Sequence, residues 1–280
     1  MGRLIIVAGA SGAGKSFFLQ CWEKHDAYAQ VIKKYVSEDR VPRKREVLTG
    51  ESDLIFSKKY DPTTKEGRKW YDEHYPGIAV SENLQFAERS FGLPYEINNP
   101  FMYQYGDTYY EIDRVSLEDA LRKGLNPIVI VRDFDVIAYL LKQYESPFLI
   151  YVQSILSGID LYDALKKFQE SEIDISERMR RTFSDLEEFS DHMKQLPYFR
   201  IVLNDFVDKK GSIIVRQIKD IYGKHIANFM KRKKSIFLIQ SYSDGKALVR
   251  NAIVTAFANV FAELPELVVE IGRASCRERV

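Results

Sequence analysis

Cysteine is almost missing from this 280-residue chain, with Cys21 and Cys276 its only two. So few thiols exclude a disulfide framework and fit a reducing, cytoplasmic setting. Long apolar runs are missing too. None approaches the roughly 20 residues needed to cross a bilayer, so no membrane partner is expected. A charge excess of either sign is also lacking, since 41 Lys and Arg face 40 Asp and Glu for a net +1. A nucleic-acid partner is therefore not indicated, and the surface should be mixed in charge. A strand-type run already begins at Leu4, which leaves no room for a signal peptide. The length suits one large or two modest domains with ample core.

What is present is concentrated at the start. Leu4-Ile5-Ile6-Val7-Ala8 is a short apolar run that feeds into Gly9-Ala10-Ser11-Gly12-Ala13-Gly14-Lys15-Ser16. A helical pattern follows through Phe17, Phe18, Leu19 and Cys21. Strand, glycine-rich turn, Gly-Lys-Ser and helix together read as a phosphate-binding P-loop. Gly9, Gly12 and Gly14, with Ser11 and Ala13 between them, would let backbone N–H groups curl around a polyphosphate at a helix N-terminus. Lys15 would reach the β- and γ-phosphates, and Ser16 would offer its hydroxyl to Mg²⁺. ATP and Mg²⁺ are thus the implied cofactors.

Further on, Arg40-Val41-Pro42-Arg43-Lys44-Arg45-Glu46 places two arginines around a proline. A stiff turn of that kind presents forked donors suited to phosphate. With the P-loop before it, this segment resembles guanylate kinase. The family's Arg-x-Pro-Arg segment grips the phosphate of a nucleoside monophosphate, and Arg40 and Arg43 match its arginines. Tyr103-Gln104-Tyr105-Gly106-Asp107-Thr108 resembles the tyrosine-tyrosine-glycine motif, in which Tyr105 takes the place of the second phosphate-contacting tyrosine. Glu96 stands at the spacing of the glutamate that bonds the guanine base. Asp107 replaces a serine or threonine near the base, and Leu54 falls where the family has a tyrosine. The serine before the arginines is either displaced to Ser37 or replaced by Val36. The resemblance therefore implies a retained phosphate grip and altered base recognition.

Residues 56–94 are longer than the family's equivalent and rich in aromatics, which argues against disorder. A charged helix over 63–75, capped by Thr63 or Thr64, is expected there. The stretch reads as an enlarged lid over the acceptor or as a surface insertion. A helix over 116–123 with a Ser116 cap, a buried strand at 128–131, a helix at 136–144 and a second buried strand at 148–152 should follow. Asp133, just past the first of these strands, is the candidate metal ligand by resemblance.

Amphipathic helices at 159–168 and 175–193 have the layout of the mobile arm in nucleoside monophosphate kinases. By that likeness Arg178 reaches the transferring phosphate, and Arg181 could share its helix face. A strand over 199–203 ends in Asn204-Asp205, matching the asparagine-aspartate pair beside the adenine. A terminal helix is expected over 213–229.

The expected fold is α/β, a P-loop NTPase-type parallel sheet flanked by helices, with monophosphate-binding and lid subdomains. Residues 1–230 would form the guanylate kinase-like domain, with an acceptor-binding insert at about 37–110 and a lid at about 153–182. A strand at 235–239 and a helix at 246–264 suggest that 231–269 opens a second α/β domain, because one strand–helix pair cannot bury its own core. Residues 270–280 resemble the translation of a sequencing-adapter oligonucleotide. The implied activity is transfer of phosphate from ATP to a nucleoside monophosphate, GMP first. A sugar bisphosphate acceptor, or a nucleotide sensor without turnover, is the alternative.

Overall fold

The computed structural model describes residues 2–10, 13, 15–16, 19, 22–23, 26–87, 99–145, 147–154, 200–204, 235–239 and 268–272, with isolated helical positions at 166 and between 175 and 192 and a bend at 196. In chain order the described strands are β1 (Ile5–Gly9), β2 (Ala29–Val31), β3 (Lys34–Val36), β4 (Leu54–Ser57), β5 (Gln85–Ala87) and β6 (Met102–Tyr105). After them come β7 (Thr108–Ile112), β8 (Asn126–Ile130), β9 (Phe148–Ser154), β10 (Arg200–Asn204), β11 (Ser235–Ile239) and β12 (Val268–Gly272). The helices are α1 (Lys44–Thr49), α2 (Lys65–His74), α3 (Arg114–Arg122) and α4 (Phe134–Gln143). The chain divides into two compact units, one of Met1–Leu4 with Tyr28–Gln143 and one of Ile5–Ala27 with Tyr144–Val280.

In the second unit the strands run in the order β12-β11-β10-β9-β1, and every neighbouring pair is parallel. Residues Ile5 to Ala8 and Phe148 to Val152 are all buried, as expected of parallel strands covered on both faces. After β1, Lys15, Ser16, Leu19, Trp22 and Glu23 are helical. Leu19 and Trp22, three apart on one face, are both buried. The expected domain boundary near 230 is crossed by strand pairing, since β11 continues the sheet beyond β10 and β12 lies beyond β11. The expected helices at 213–229 and 246–264 lie outside the described residues, as do residues 273–280.

In the first unit β2 and β8 form a parallel pair. A five-stranded mixed sheet has the order β5-β4-β3-β7-β6. Strands β2 and β3, two residues apart in the chain, therefore lie in two different sheets. Ile32 N still donates to Ile128 O at 2.8 Å, whereas Lys34 N donates to Asp53 O at 2.8 Å. The switch falls at Lys33.

The five-stranded sheet packs on a cluster of Val36, Val47, Leu54, Phe56, Tyr60, Tyr71 and Leu84, edged by Trp70, Tyr75, Ile78, Val80, Phe86 and Tyr110. Burying each large side chain stabilises the fold by about 1.5–3 kcal/mol. Most of these residues come from 54–86, so the stretch expected to be a lid or a surface insertion is core-forming. Helix α2 starts where expected, with Thr64 Oγ1 accepting from Gly67 N at 3.0 Å. Gly67 has no room for a side chain, because a Cβ there would lie 1.9 Å from Asp61 O.

Helix α3 corrects the expected Ser116 cap. Asp113 is the cap, with its Oδ1 accepting from Ser116 N at 3.2 Å while the Ser116 hydroxyl donates to Oδ2 at 2.7 Å. The carboxylate two residues before the apolar pattern competes better for the free helix N–H groups than the serine does. Gly124, at φ 77°, ends the helix as expected. No helix among the described residues is long and apolar enough to cross a membrane.

Candidate functional site

The turn after β1 is built from both strand packing and helix initiation. Gly9 has φ 142°, and a Cβ on it would meet Val152 O at 2.2 Å, so glycine here permits β1 to lie against β9. Ala13 is fully buried, and its N–H donates to Ala10 O at 3.2 Å, closing a tight turn. Lys15 and Ser16 then lie in the helix, with Ser16 exposed and Lys15 half-buried. The Lys15 ammonium donates to Gly9 O at 2.6 Å and to Ala10 O at 2.7 Å. Lysine carrying its charge beside a strand end, followed by an exposed hydroxyl at a helix start, is a donor set that fits a triphosphate and its Mg²⁺. Ser11, Gly12 and Gly14 lie outside the described residues.

The arginine segment is held from several directions. Arg40 is not a solvated loop cation. Its Nη2 meets both oxygens of Glu46, at 2.9 and 3.1 Å, with only 12% of the side chain exposed. Its guanidinium also lies 5.7 Å from the centre of the buried Phe56 ring. Glu46 Oε2 accepts from Arg43 N at 2.7 Å, which starts α1, and Gly50 at φ 67° ends it. Arg43 itself is exposed.

Ser37, 9% exposed, spends its hydroxyl on structure, accepting from Tyr109 N at 3.1 Å and donating to Asp39. The Tyr60 hydroxyl donates to Glu38 O at 3.2 Å, and the Tyr75 hydroxyl donates to Pro42 O at 2.9 Å.

Tyr105 and Asp107 belong to the β6–β7 hairpin. Tyr105 pairs with Thr108, and the two-residue link Gly106-Asp107 turns at Gly106, φ 59°. Tyr105 is half-buried, whereas Asp107 is exposed at the tip. The guanidinium of Arg132, just past β8, lies 3.2 Å from the centre of the Tyr105 ring. A cation therefore covers one face of this tyrosine. Beside it, Asp133 Oδ1 accepts from Val136 N at 2.9 Å and Asp133 O accepts from Ile137 N at 3.0 Å. Asp133 thus caps α4. Leu54 is buried in β4, in keeping with its inability to bond phosphate.

A charged network under the five-stranded sheet escaped the sequence reading. Lys34 is 4% exposed, and its ammonium lies 3.0 Å from Asp53 Oδ2, 2.9 Å from Ile130 O and 3.4 Å from the Tyr103 hydroxyl. Burial alone would lower the Lys34 pKa. The Asp53 carboxylate and the neighbouring Tyr103 and Tyr110 overcome that and raise it above the usual lysine value. Burial raises the Tyr103 pKa against the opposing pull of Lys34. The signal was available, because Ile32, Lys34 and Val36 alternate onto one buried face while Lys33 and Tyr35 do not. Glu46 was also legible, as an acid three residues after Arg43 at a helix start.

In the expected lid, Ile175, Ser176, Glu177, Arg180 and Arg181 are helical, and Arg181 pairs with Glu177 one turn away. Arg178 and Glu96 lie outside the described residues, and so does the side chain of Asn204. No group of three or more metal-binding side chains occurs among the described residues.

No protein-family model matches the sequence, and no curated protein matches it. Among solved structures the chain is similar to a guanylate kinase from Anaplasma phagocytophilum, at 12% identity and TM-score 0.42, over 82% of this chain and 89% of that one. It is also similar to a chain of the Pnkp1/Rnl/Hen1 RNA repair complex, at 11% identity and TM-score 0.33, over 99% of this chain and 81% of that one.

Proposed function

We propose that this protein is a cytoplasmic, ATP-dependent phosphotransferase whose acceptor is a nucleoside monophosphate, GMP first. The reading rests above all on the passage from β1 through a closed turn to Lys15 and Ser16 at a helix start. Lys15 and Ser16, with Ser11, Gly12, Ala13 and Gly14, would hold the triphosphate and Mg²⁺. When bound, the metal neutralises charge on the transferring phosphoryl group. Arg40, Arg43 and Tyr105 would hold the acceptor phosphate, and Arg178 and Arg181 would offset charge developing in transfer. Asp133 is the proposed further metal contact, and Asn204 the adenine-side one. Such chemistry needs positioning and positive charge rather than a covalent catalyst.

A second reading is a nucleotide-binding module without turnover. It is favoured by Arg132 seated on Tyr105, the expected phosphate-contacting tyrosine, and by Asp107 at an exposed tip where a serine or threonine near the base is expected. ATP consumption measured with GMP, dGMP, AMP, UMP and a ribose bisphosphate separates the two. Transfer that is fastest with GMP supports the kinase. ATP binding without transfer to any acceptor overturns it in favour of the module.

A further inference from the structure

The arginine segment leaves β3 and returns through α1, and two of its backbone carbonyls accept hydroxyl groups from elsewhere in the fold. Glu38 O, before Arg40, takes the Tyr60 hydroxyl, and Pro42 O, between Arg40 and Arg43, takes the Tyr75 hydroxyl. Both tyrosines belong to one aromatic group. Trp70 meets Tyr60 edge-on at 4.8 Å, Tyr71 at 5.0 Å and Tyr75 at 5.7 Å between ring centres. Trp70 sits on α2, and Tyr75 ends that helix with its N–H on Tyr71 O at 2.7 Å. The Tyr75 hydroxyl thus carries the position of α2 to the loop between the two arginines, and the Tyr60 hydroxyl carries that of the turn before α2 to the backbone just ahead of Arg40.

We infer that Tyr75, aided by Tyr60, is a positioning residue that fixes the spacing of Arg40 and Arg43 for an anionic acceptor. This rests on the reading of those arginines as the acceptor-phosphate grip. The physical case is that Glu46 takes the head of Arg40 and the backbone N–H of Arg43, while Tyr75 takes the Pro42 carbonyl between them, so the ends and the middle of the segment are each held. The carbonyl one residue before Arg43 is the one that Tyr75 holds. Losing that bond removes the hold on the middle of the segment while Glu46 keeps its ends, and an anion then has to order the Val41–Pro42 stretch on binding.

The test uses the full chain with GMP as probe. Tyr75→Phe keeps the ring in the aromatic group and removes only the donor. The expected result is a KM for GMP raised about fivefold, the scale of one neutral hydrogen bond, with the KM for ATP and kcat within about twofold. Tyr60→Phe should raise the KM for GMP less, because its bond is longer and farther from Arg43. Amide hydrogen exchange at 41–44 should quicken in Tyr75→Phe while exchange in α3 and α4 does not.

Arg43→Ala separates the two levels of failure. If Arg43→Ala loses GMP affinity and Tyr75→Phe keeps the wild-type KM, the positioning role is overturned and the arginine grip stands. If Arg43→Ala leaves GMP affinity unchanged, the grip itself is wrong and the inference falls with it. A Tyr75→Phe variant that lowers kcat and raises both KM values together would reveal general loosening and also overturn the role.

Discussion

The turn after β1 and the arginine segment after β3 both carry cations proposed to meet phosphate, and they are held in opposite ways. Lys15 rests on two carbonyls of its own turn, Gly9 O and Ala10 O, within six residues of sequence. Arg40 and Arg43 depend on Glu46, Tyr60, Tyr75 and the ring of Phe56, contributed by α1, β4, the turn Lys58–Tyr60 and the end of α2. A local device can be read and altered locally. A distributed one responds to changes far along the chain, and the following substitutions should separate the two kinds.

The largest effect is expected beneath the distributed site. Lys34→Met leaves the partly buried Asp53 carboxylate without its cation and should cost about 2–3 kcal/mol in urea denaturation, whereas Lys34→Met with Asp53→Leu should recover much of it. The pair also sets a pH signature. The folded pKa of Lys34 is raised, so its contribution is fully present below the unfolded lysine pKa of about 10.4 and is lost as pH rises toward the folded value. Wild-type stability should therefore show no slope from this group between pH 6 and 9, and a fall in strongly alkaline solution that Lys34→Met lacks.

Next comes the local site. Lys15→Ala should lower kcat for phosphate transfer by about 100-fold or more with little change in denaturation midpoint, since a charge aimed at developing negative charge is lost. A large loss of stability would show that Lys15 is structural and would erase the contrast.

A smaller effect belongs to Glu46→Gln, which weakens the hold on Arg40 without emptying the position. The KM for GMP should rise about tenfold, the scale of a charge-assisted bond, with the KM for ATP unmoved. Equal changes in both KM values would mean that the arginine segment and the turn after β1 do not act separately.

The smallest is Thr64→Ala. Loss of the α2 cap should cost about 1 kcal/mol by thermal unfolding and, through Trp70 and Tyr75, raise the KM for GMP slightly. An unchanged KM with lowered stability would place α2 outside the acceptor site's support.

How much was legible in the sequence follows the same division. Strand β1, its glycine-rich turn, and strands β8 to β11 could be read because each carries its signal in consecutive residues. Ile128 to Val131 and Phe148 to Val152 are unbroken apolar runs, and all are buried. Thr64 and Gly124 announced helix ends through their own chemistry. The placing of β2 and β3 in two sheets could not be read so simply, because the partners that separate them, Ile128 and Asp53, lie far along the chain.

The aromatic stretch misled for a similar reason. Charges around Trp70 and Tyr71 suggested a surface helix, but one face of α2 is apolar enough to complete the core of the five-stranded sheet. Arg40 and Arg43 were legible as a pair. Their holders Tyr60 and Tyr75 were not, since nothing local distinguishes a tyrosine that donates to a distant carbonyl from one that merely packs. Asp133 is the proposed metal contact and also accepts from Val136 N at the start of α4, a further role that its place just before Phe134 permits.

Trp70 is one of only two tryptophans in the chain, and Trp22 is the other. Trp22 is fully buried with its indole N–H on Asp26, at one of the helical positions after Lys15. Trp70 stands in the aromatic group beside Pro42 and stacks on His74 at 4.3 Å. Nature has thus placed a separate intrinsic fluorophore near each half of the proposed chemistry. Replacing either one by phenylalanine leaves a single tryptophan, and titrating ATP and GMP against the two variants tests whether each emission follows one proposed nucleotide.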